Sequence, residues 1–215
     1  MTLSAEARTL WATALDLGRE NARVSPAGRS IPPLWFLTDP ERTPEPWGAA
    51  ARLPAGAGVI LRHFGRPEAL DWAGRLRTAT AGAGVIFLIA ADPDLAEAVG
   101  ADGVHLPERM IDRAARLRAR RPDRLISAAC HDARALADAA ASGADFAMLS
   151  PVFVPGGRSS GAPLGPDGVA KLAATTRLPV VALGGLTAGN VGTLRGTGAS
   201  GIAGVDAIRR AFGSD

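Results

Sequence analysis

The stretch LISAACHDARALADAAASGADFAML, residues 125–149, decides the fold. Its apolar run Leu125-Ile-Ser-Ala128 predicts a strand, and Phe146-Ala-Met-Leu149 predicts the next one. Between them, Asp132 stands where it can cap a helix that buries Leu136. Because neither apolar run alternates with polar residues, both are typical of strands covered on two faces, as in parallel sheets. The stretch therefore predicts a strand–helix–strand unit.

The same unit recurs along the whole chain. The apolar runs span residues 34–38, 58–62, 85–89, 103–106, 125–128, 146–149, 179–183 and 201–205. Eight such units favour a single-domain (β/α)₈ TIM barrel over an open doubly wound sheet. We expect the barrel to occupy residues 31–215 and the N-terminal extension, residues 1–30, to form an extra helix that plugs the barrel's lower end. Thr187, with Val191 and Leu194 behind it, predicts a helix after the seventh strand.

Composition narrows the class of protein. The 24 Lys and Arg residues nearly balance the 21 Asp and Glu residues, so the net charge is only +3. The lone Cys130 permits no internal disulfide, and the longest apolar run, residues 81–91, is shorter than the roughly 18 residues of a membrane span. The arginines of residues 109–124 come without stacking aromatics, which favours a solvated helix over a nucleic-acid surface. We therefore expect a cytoplasmic protein without membrane or nucleic-acid partners.

The working residues of such a barrel stand at the carboxyl ends of its strands and in the loops that follow. This rule selects candidates after most of the strands. They are Arg62, Asp92, Glu108, His131, Ser150, Arg158, Gly184, Gly185, Val205 and Asp206, together with His105 inside the fourth strand.

Two of these segments suggest a phosphate site. Gly184-Gly185 follows the seventh strand, and Gly204-Val205-Asp206 opens the last helix, so backbone N–H groups there could hold an anion. Each segment has a plainer alternative. The glycines also suit a tight turn that needs positive φ. The Asp206 carboxylate also suits a helix cap, in which case it competes with an anionic ligand.

The histidines leave similar alternatives open. An imidazole after the fifth strand, His131, is suited to proton transfer, but it also fits a histidine that is hydrogen-bonded at a helix start beside Asp132. His105, in an apolar strand, fits a satisfied core histidine as well as a substrate contact. No group of His and Cys has the spacing of a zinc site.

Three segments together carry a family resemblance. They are Gly100-Ala-Asp-Gly-Val-His-Leu106, Gly143-Ala-Asp-Phe-Ala-Met-Leu-Ser-Pro-Val-Phe153 and Pro179-Val-Val-Ala-Leu-Gly-Gly-Leu-Thr-Ala-Gly-Asn190. In this order and spacing they resemble the thiamine phosphate synthase family and its TenI-like thiazole tautomerase branch, over about residues 34–212. The resemblance implies the same barrel. It implies either a synthase that joins hydroxymethylpyrimidine pyrophosphate to thiazole phosphate with Mg²⁺, or a tautomerase that moves a proton without a cofactor.

The resemblance also implies roles for single residues. Gly184 and Gly185 match the phosphate-binding turn, and Arg62 matches an arginine that contacts pyrophosphate. Arg158 keeps the charge of the family's lid. Asp92 matches a metal ligand, with Glu108 the only close substitute for a second one, and His131 matches the histidine of the tautomerases. The partner implied is a small phosphorylated pyrimidine or thiazole, and a homo-oligomer is left open.

Several positions depart from the family pattern. Ile60 replaces a Gln, Phe64 a Lys and Ala91 an Asn, while Asp206 replaces a Ser. Met110 falls near the second metal carboxylate, Pro93 replaces an Arg, and Pro155-Gly-Gly157 lacks the hydroxyls of the lid. Three hypotheses follow: a synthase, a tautomerase, or a non-catalytic phosphate-ligand-binding barrel whose site has drifted.

Overall fold

The computed structural model describes residues 3–22, 25, 28–154 and 162–213. Within them, eight parallel strands pair in sequence order, and the last pairs with the first to close a barrel. The strands are β1 (Leu34–Leu37), β2 (Gly58–Leu61), β3 (Ile86–Ala90), β4 (Gly103–Leu106), β5 (Leu125–Cys130), β6 (Phe146–Leu149), β7 (Val180–Leu183) and β8 (Gly201–Gly204). The predicted (β/α)₈ TIM barrel is confirmed, and each strand lies within two residues of the run that predicted it.

Helices follow most of the strands. They are α1 (Ala5–Glu20), α2 (Trp47–Ala50), α3 (Ala69–Ala81), α4 (Pro93–Ala98), α5 (Ala114–Arg120), α6 (Ala133–Ala141), α7 (Gly165–Ala173) and α8 (Asp206–Phe212), with 3₁₀ turns at Glu108–Arg113 and Val191–Leu194. The cap predicted for α6 is present, since Asp132 Oδ1 accepts a hydrogen bond from the Ala135 amide at 2.8 Å. None of the described helices is long and apolar enough to cross a membrane.

The prediction of a helix after β7 is wrong, because the chain forms only the 3₁₀ turn Val191–Leu194 there. Glycine explains the difference. Gly192 lies inside the turn, and Gly196 and Gly198 follow it with φ of 74° and 82°. Glycine is among the poorest helix formers, and residues with positive φ cannot extend an α-helix.

An aromatic pair packs inside the barrel. The rings of Trp35 on β1 and Phe146 on β6 stack with centroids 5.0 Å apart. A Cβ atom on Gly58 would lie 2.3 Å from the Trp35 ring, so glycine makes room for the indole. Trp35 Nε1 donates to the Pro32 carbonyl at 2.8 Å, which satisfies the buried N–H.

The N-terminal helix does not plug the barrel as expected. Its buried residues, including Leu10 and Leu17, belong to the cluster between the strands and the outer helices and not to the interior cluster around Trp35. Asn21 Nδ2, at the end of α1, donates to the Ala199 carbonyl at 2.9 Å, just before β8. The helix therefore covers the outside of the barrel next to α8 and the short 3₁₀ turn, where the expected helix is missing.

Two aspartates of the Gly-Ala-Asp segments lie at the opposite end of the barrel from the strands' carboxyl ends. Asp102 accepts from the Phe87 amide at 2.7 Å and pairs with Arg77, while buried Asp145 accepts from the Ile126 amide at 2.8 Å and pairs with Arg118. Each carboxylate thus ties its strand to a neighbouring one. Residues at the amino-terminal face of such a barrel serve stability, so these aspartates are structural.

Candidate active site at the barrel mouth

The carboxyl ends of the strands open into a cavity of about 680 Å³. The cavity brings together many of the predicted site residues. Those that line it are Arg62, His131, Gly184, Gly185, Val205 and Asp206. Arg42, Arg109 and Arg210 also line it and were not predicted for the site. Arg210 stands four residues after Asp206 on α8, and that helical spacing is the signal that could have found it.

The two segments suggested for phosphate binding face this one cavity. Gly184 and Gly185 have φ of 104° and 65°, so the tight turn is real. A Cβ atom on Gly185 would lie 2.5 Å from the Val154 carbonyl oxygen, because the loop after β6 passes directly over the turn. Asn190 Nδ2 also donates to the Gly185 carbonyl at 2.9 Å. The turn is thus held by contacts on both sides while its glycines line the cavity. A tight turn and a phosphate site at these glycines therefore do not exclude each other.

Arg62 brings a buried cation to the mouth. Its Nε donates to the Thr38 carbonyl at 2.7 Å, and one terminal nitrogen lies 3.6 Å from Asp39 Oδ2. That terminal nitrogen is buried and has no hydrogen-bond partner among the described residues. Burial lowers the pKa of Arg62 to about 10; Asp39 opposes this effect, and nearby Arg42 adds to it. The guanidinium therefore stays charged at neutral pH and brings a fixed positive charge to the cavity lining, where it can attract a phosphate.

Asp206 does not cap α8 as its position suggested. Helix α8 has no side-chain cap, and the two Asp206 carboxylate oxygens lie 3.2 and 3.1 Å from Arg42 Nε, with a further bond to a terminal nitrogen of Arg42. The guanidinium competes for the carboxylate because a charge-assisted, two-pronged ion pair is stronger than a bond to a neutral amide. Of the described residues that line the cavity, four are arginines and two are carboxylates, which leaves an excess of two positive charges.

His131 is oriented by Ser150 and not by Asp132. Its Nδ1 lies 2.6 Å from the Ser150 carbonyl oxygen and 3.4 Å from the hydroxyl of the same residue. Since a carbonyl oxygen only accepts, Nδ1 carries the hydrogen and the lone pair of the neutral ring lies on Nε2. Nε2 is 3.8 Å from a carboxylate oxygen of Glu108. The half-exposed ring is therefore set up to accept a proton at Nε2, while Ser150 lies buried behind it, outside the cavity lining.

His105 is a core residue. Its ring lies inside the barrel, where Nδ1 is 2.9 Å from the Ser127 hydroxyl. Burial, assisted by the charge of Arg62, lowers the pKa of His105 to about 3. The imidazole is therefore neutral and is not part of the cavity lining, which favours the satisfied core histidine over a substrate contact.

The two metal candidates have other partners. Asp92 Oδ1 caps α4 by accepting from the Leu95 amide at 2.9 Å, and its Oδ2 lies 3.6 Å from His63 Nε2. Glu108 lies beside His131. Among the described residues, no group of three or more His, Cys, Asp or Glu side chains could hold a metal ion. Within the part of the chain that the structure describes, no amide donates to Asp92 Oδ2. One carboxylate with substrate phosphate oxygens is a donor set that suits Mg²⁺. Arg158 falls outside the described residues.

The chain is similar to known proteins over most of its length. A family model described as "Thiamine monophosphate synthase" matches residues 38–208. A thiamine-phosphate synthase of Methanoculleus marisnigri is 38% identical over 164 residues, 74% of this chain and 78% of that protein. The bifunctional protein ThiM/ThiE of Symbiobacterium thermophilum is 35% identical over 85% of this chain, which spans only 40% of that protein's length. The structure of a thiamine phosphate pyrophosphorylase from Pyrococcus furiosus superimposes with a TM-score of 0.71 at 26% identity, covering 84% of this chain and 92% of that one.

Proposed function

The chain belongs to the thiamine monophosphate synthase family, and on that premise we propose that it joins hydroxymethylpyrimidine pyrophosphate to thiazole phosphate and releases pyrophosphate. One observation carries the proposal. The glycine turn after β7 and Arg62, whose buried guanidinium has one terminal nitrogen without a hydrogen-bond partner among the described residues, line a single cavity with an excess of positive charge. Such a cavity suits two anionic ligands bound side by side. A cytoplasmic location stays a prediction.

Different residues bind the two ligands. Gly184 and Gly185 hold the phosphate of the thiazole with backbone N–H groups. Arg62 holds the pyrophosphate, and its fixed charge stabilises the electron pair that the leaving group takes when the bond to the pyrimidine methylene breaks. The thiazole then forms the new bond to that methylene carbon. A preorganised guanidinium needs little rearrangement as charge develops, which favours the transition state over the ground state.

Asp92 is the residue that would hold Mg²⁺, through Oδ2. When bound, the ion supplies neutralisation of pyrophosphate charge. Arg158 stays a candidate for the same anion, on the resemblance alone.

The test is turnover by the full chain with both precursors and Mg²⁺, read as thiamine phosphate formed and pyrophosphate released. Arg62→Ala should lower kcat/KM by about 100-fold or more, since removing one preorganised donor to a developing anion costs about 10²–10³. Arg66→Ala is a matched control, because Arg66 follows the same strand and pairs with Glu41 at 3.8 Å, with both side chains about half exposed. Absence of product from the wild type at every Mg²⁺ concentration would exclude the synthase.

A tautomerase is the second candidate, and the orientation of His131 favours it. With Nδ1 bonded to Ser150, Nε2 carries the lone pair that takes a proton from a carbon of thiazole phosphate. Incubation with thiazole phosphate in D₂O, without pyrimidine or metal, should then exchange that carbon-bound hydrogen, and His131→Ala should abolish the exchange. Wild-type protein that shows no exchange would exclude this activity.

A further inference from the structure

Phe64 is an unusual residue at the rim of the mouth. It follows β2, lines the cavity and leaves 58% of its surface exposed. Its φ is +48°, a left-handed conformation that bulky residues rarely adopt. The Arg62 guanidinium lies 5.5 Å from the centre of its ring. Exposed aromatic surface and backbone strain at the same residue are typical of positions kept for function.

The mouth has an apolar part as well as a cationic one. Three large hydrophobic residues are exposed within the described chain, namely Phe64, Leu70 and Val154. Phe64 and Val154 both line the cavity, with Leu183 and Leu186. Apolar side chains beside arginines fit a ligand that carries an aromatic ring next to its phosphates.

We propose that Phe64 is a specificity-determining residue that stacks on the pyrimidine ring of the pyrophosphate substrate. The inference rests on the proposed function, and it concerns a position where the family that this chain resembles has a Lys. A phenyl ring there cannot form an ion pair with phosphate. Less of the binding energy therefore comes from the pyrophosphate group, and more comes from contact with the heterocycle. The pyrimidine is the ring concerned because Phe64 contacts Arg62, whereas the thiazole phosphate is assigned to the glycines after β7.

Calorimetric titration of the full chain with Mg²⁺ tests this with two ligands, hydroxymethylpyrimidine pyrophosphate and inorganic pyrophosphate. The Kd of inorganic pyrophosphate divided by the Kd of hydroxymethylpyrimidine pyrophosphate isolates the contribution of the ring. Phe64→Ala should reduce this ratio about tenfold, as expected for loss of an aromatic stack, while the Kd of inorganic pyrophosphate changes by less than about twofold. Phe64→Gly should do the same and accepts positive φ without strain. Phe64→Trp should preserve the ratio.

Leu70→Ala is the matched control, since Leu70 is 63% exposed on α3 and is not part of the cavity lining. An unchanged ratio in Phe64→Ala and Phe64→Gly would overturn the inference, as would a wild type that binds both ligands equally. Equal weakening of both ligands would also overturn it, because Phe64 would then act only by placing Arg62. A ratio that depends on Phe64 in a protein without turnover would refute the synthase and leave this inference standing.

Discussion

Replacing Asp206 by Ser should tighten the binding of thiazole phosphate about tenfold. In the wild type, Arg42 is bonded to Asp206 within the cavity that the glycine turn lines, and both side chains are a little under one-third exposed. A phosphate that recruits Arg42 must break this pair, at a cost of about 1 kcal/mol for a partly exposed ion pair. Repulsion between carboxylate and phosphate adds a cost of up to about 1 kcal/mol in a hydrated site. Removing both costs gains about 1–2 kcal/mol, and 1.4 kcal/mol corresponds to a factor of ten.

The assay is titration calorimetry with thiazole phosphate at low and at physiological ionic strength. The gain should shrink with salt, because the charges are partly exposed and are screened. Arg42→Ala in the Asp206→Ser background should erase the gain, and Asp71→Ser, on the exposed side of α3, should leave the affinity unchanged. Equal or weaker binding by Asp206→Ser would refute the reasoning, because Asp206 would then position Arg42 for the ligand instead of competing with it.

Two further predictions concern stability. Because the pKa of His105 is about 3 in the folded chain and near 6.5 when unfolded, the unfolded state binds the extra proton between these values, so stability is lost as pH falls from 6.5 toward 3. His105→Gln should show a smaller fall in its urea-derived free energy of unfolding between pH 6 and pH 4, and an unchanged pH dependence would contradict the assignment. Gly185→Ala should destabilise the fold by about 2 kcal/mol or more, since its Cβ would lie 2.5 Å from the Val154 carbonyl at a φ of 65°. Gly74→Ala, with open space around it in α3, should instead stabilise by about 0.5–1 kcal/mol, and similar effects from the two changes would refute the argument.

Local pattern was sufficient for the strands and for part of the site. An apolar run such as Phe146–Leu149 predicts a buried strand, because a strand that is covered on both faces is apolar at every position and can be recognised from its own residues. Once eight strands run parallel, their carboxyl ends meet at one edge. The rule therefore placed Arg62, His131 and Gly184 at the same mouth without any knowledge of loop conformation.

The contacts between distant parts of the chain depended on tertiary structure. Arg42 meets Asp206 across 164 residues because closure of β8 onto β1 brings their loops together, and no local period encodes that contact. The same limit applies to α1, whose amphipathic pattern predicts a helix but not the surface that it covers. His105 shows the principle for a single side chain, since sequence places it on a strand, whereas its neutral state follows from burial inside the closed barrel next to Arg62. Hydrophobic periodicity depends on near neighbours along the chain, while partners and charge states depend on which groups folding brings together in space.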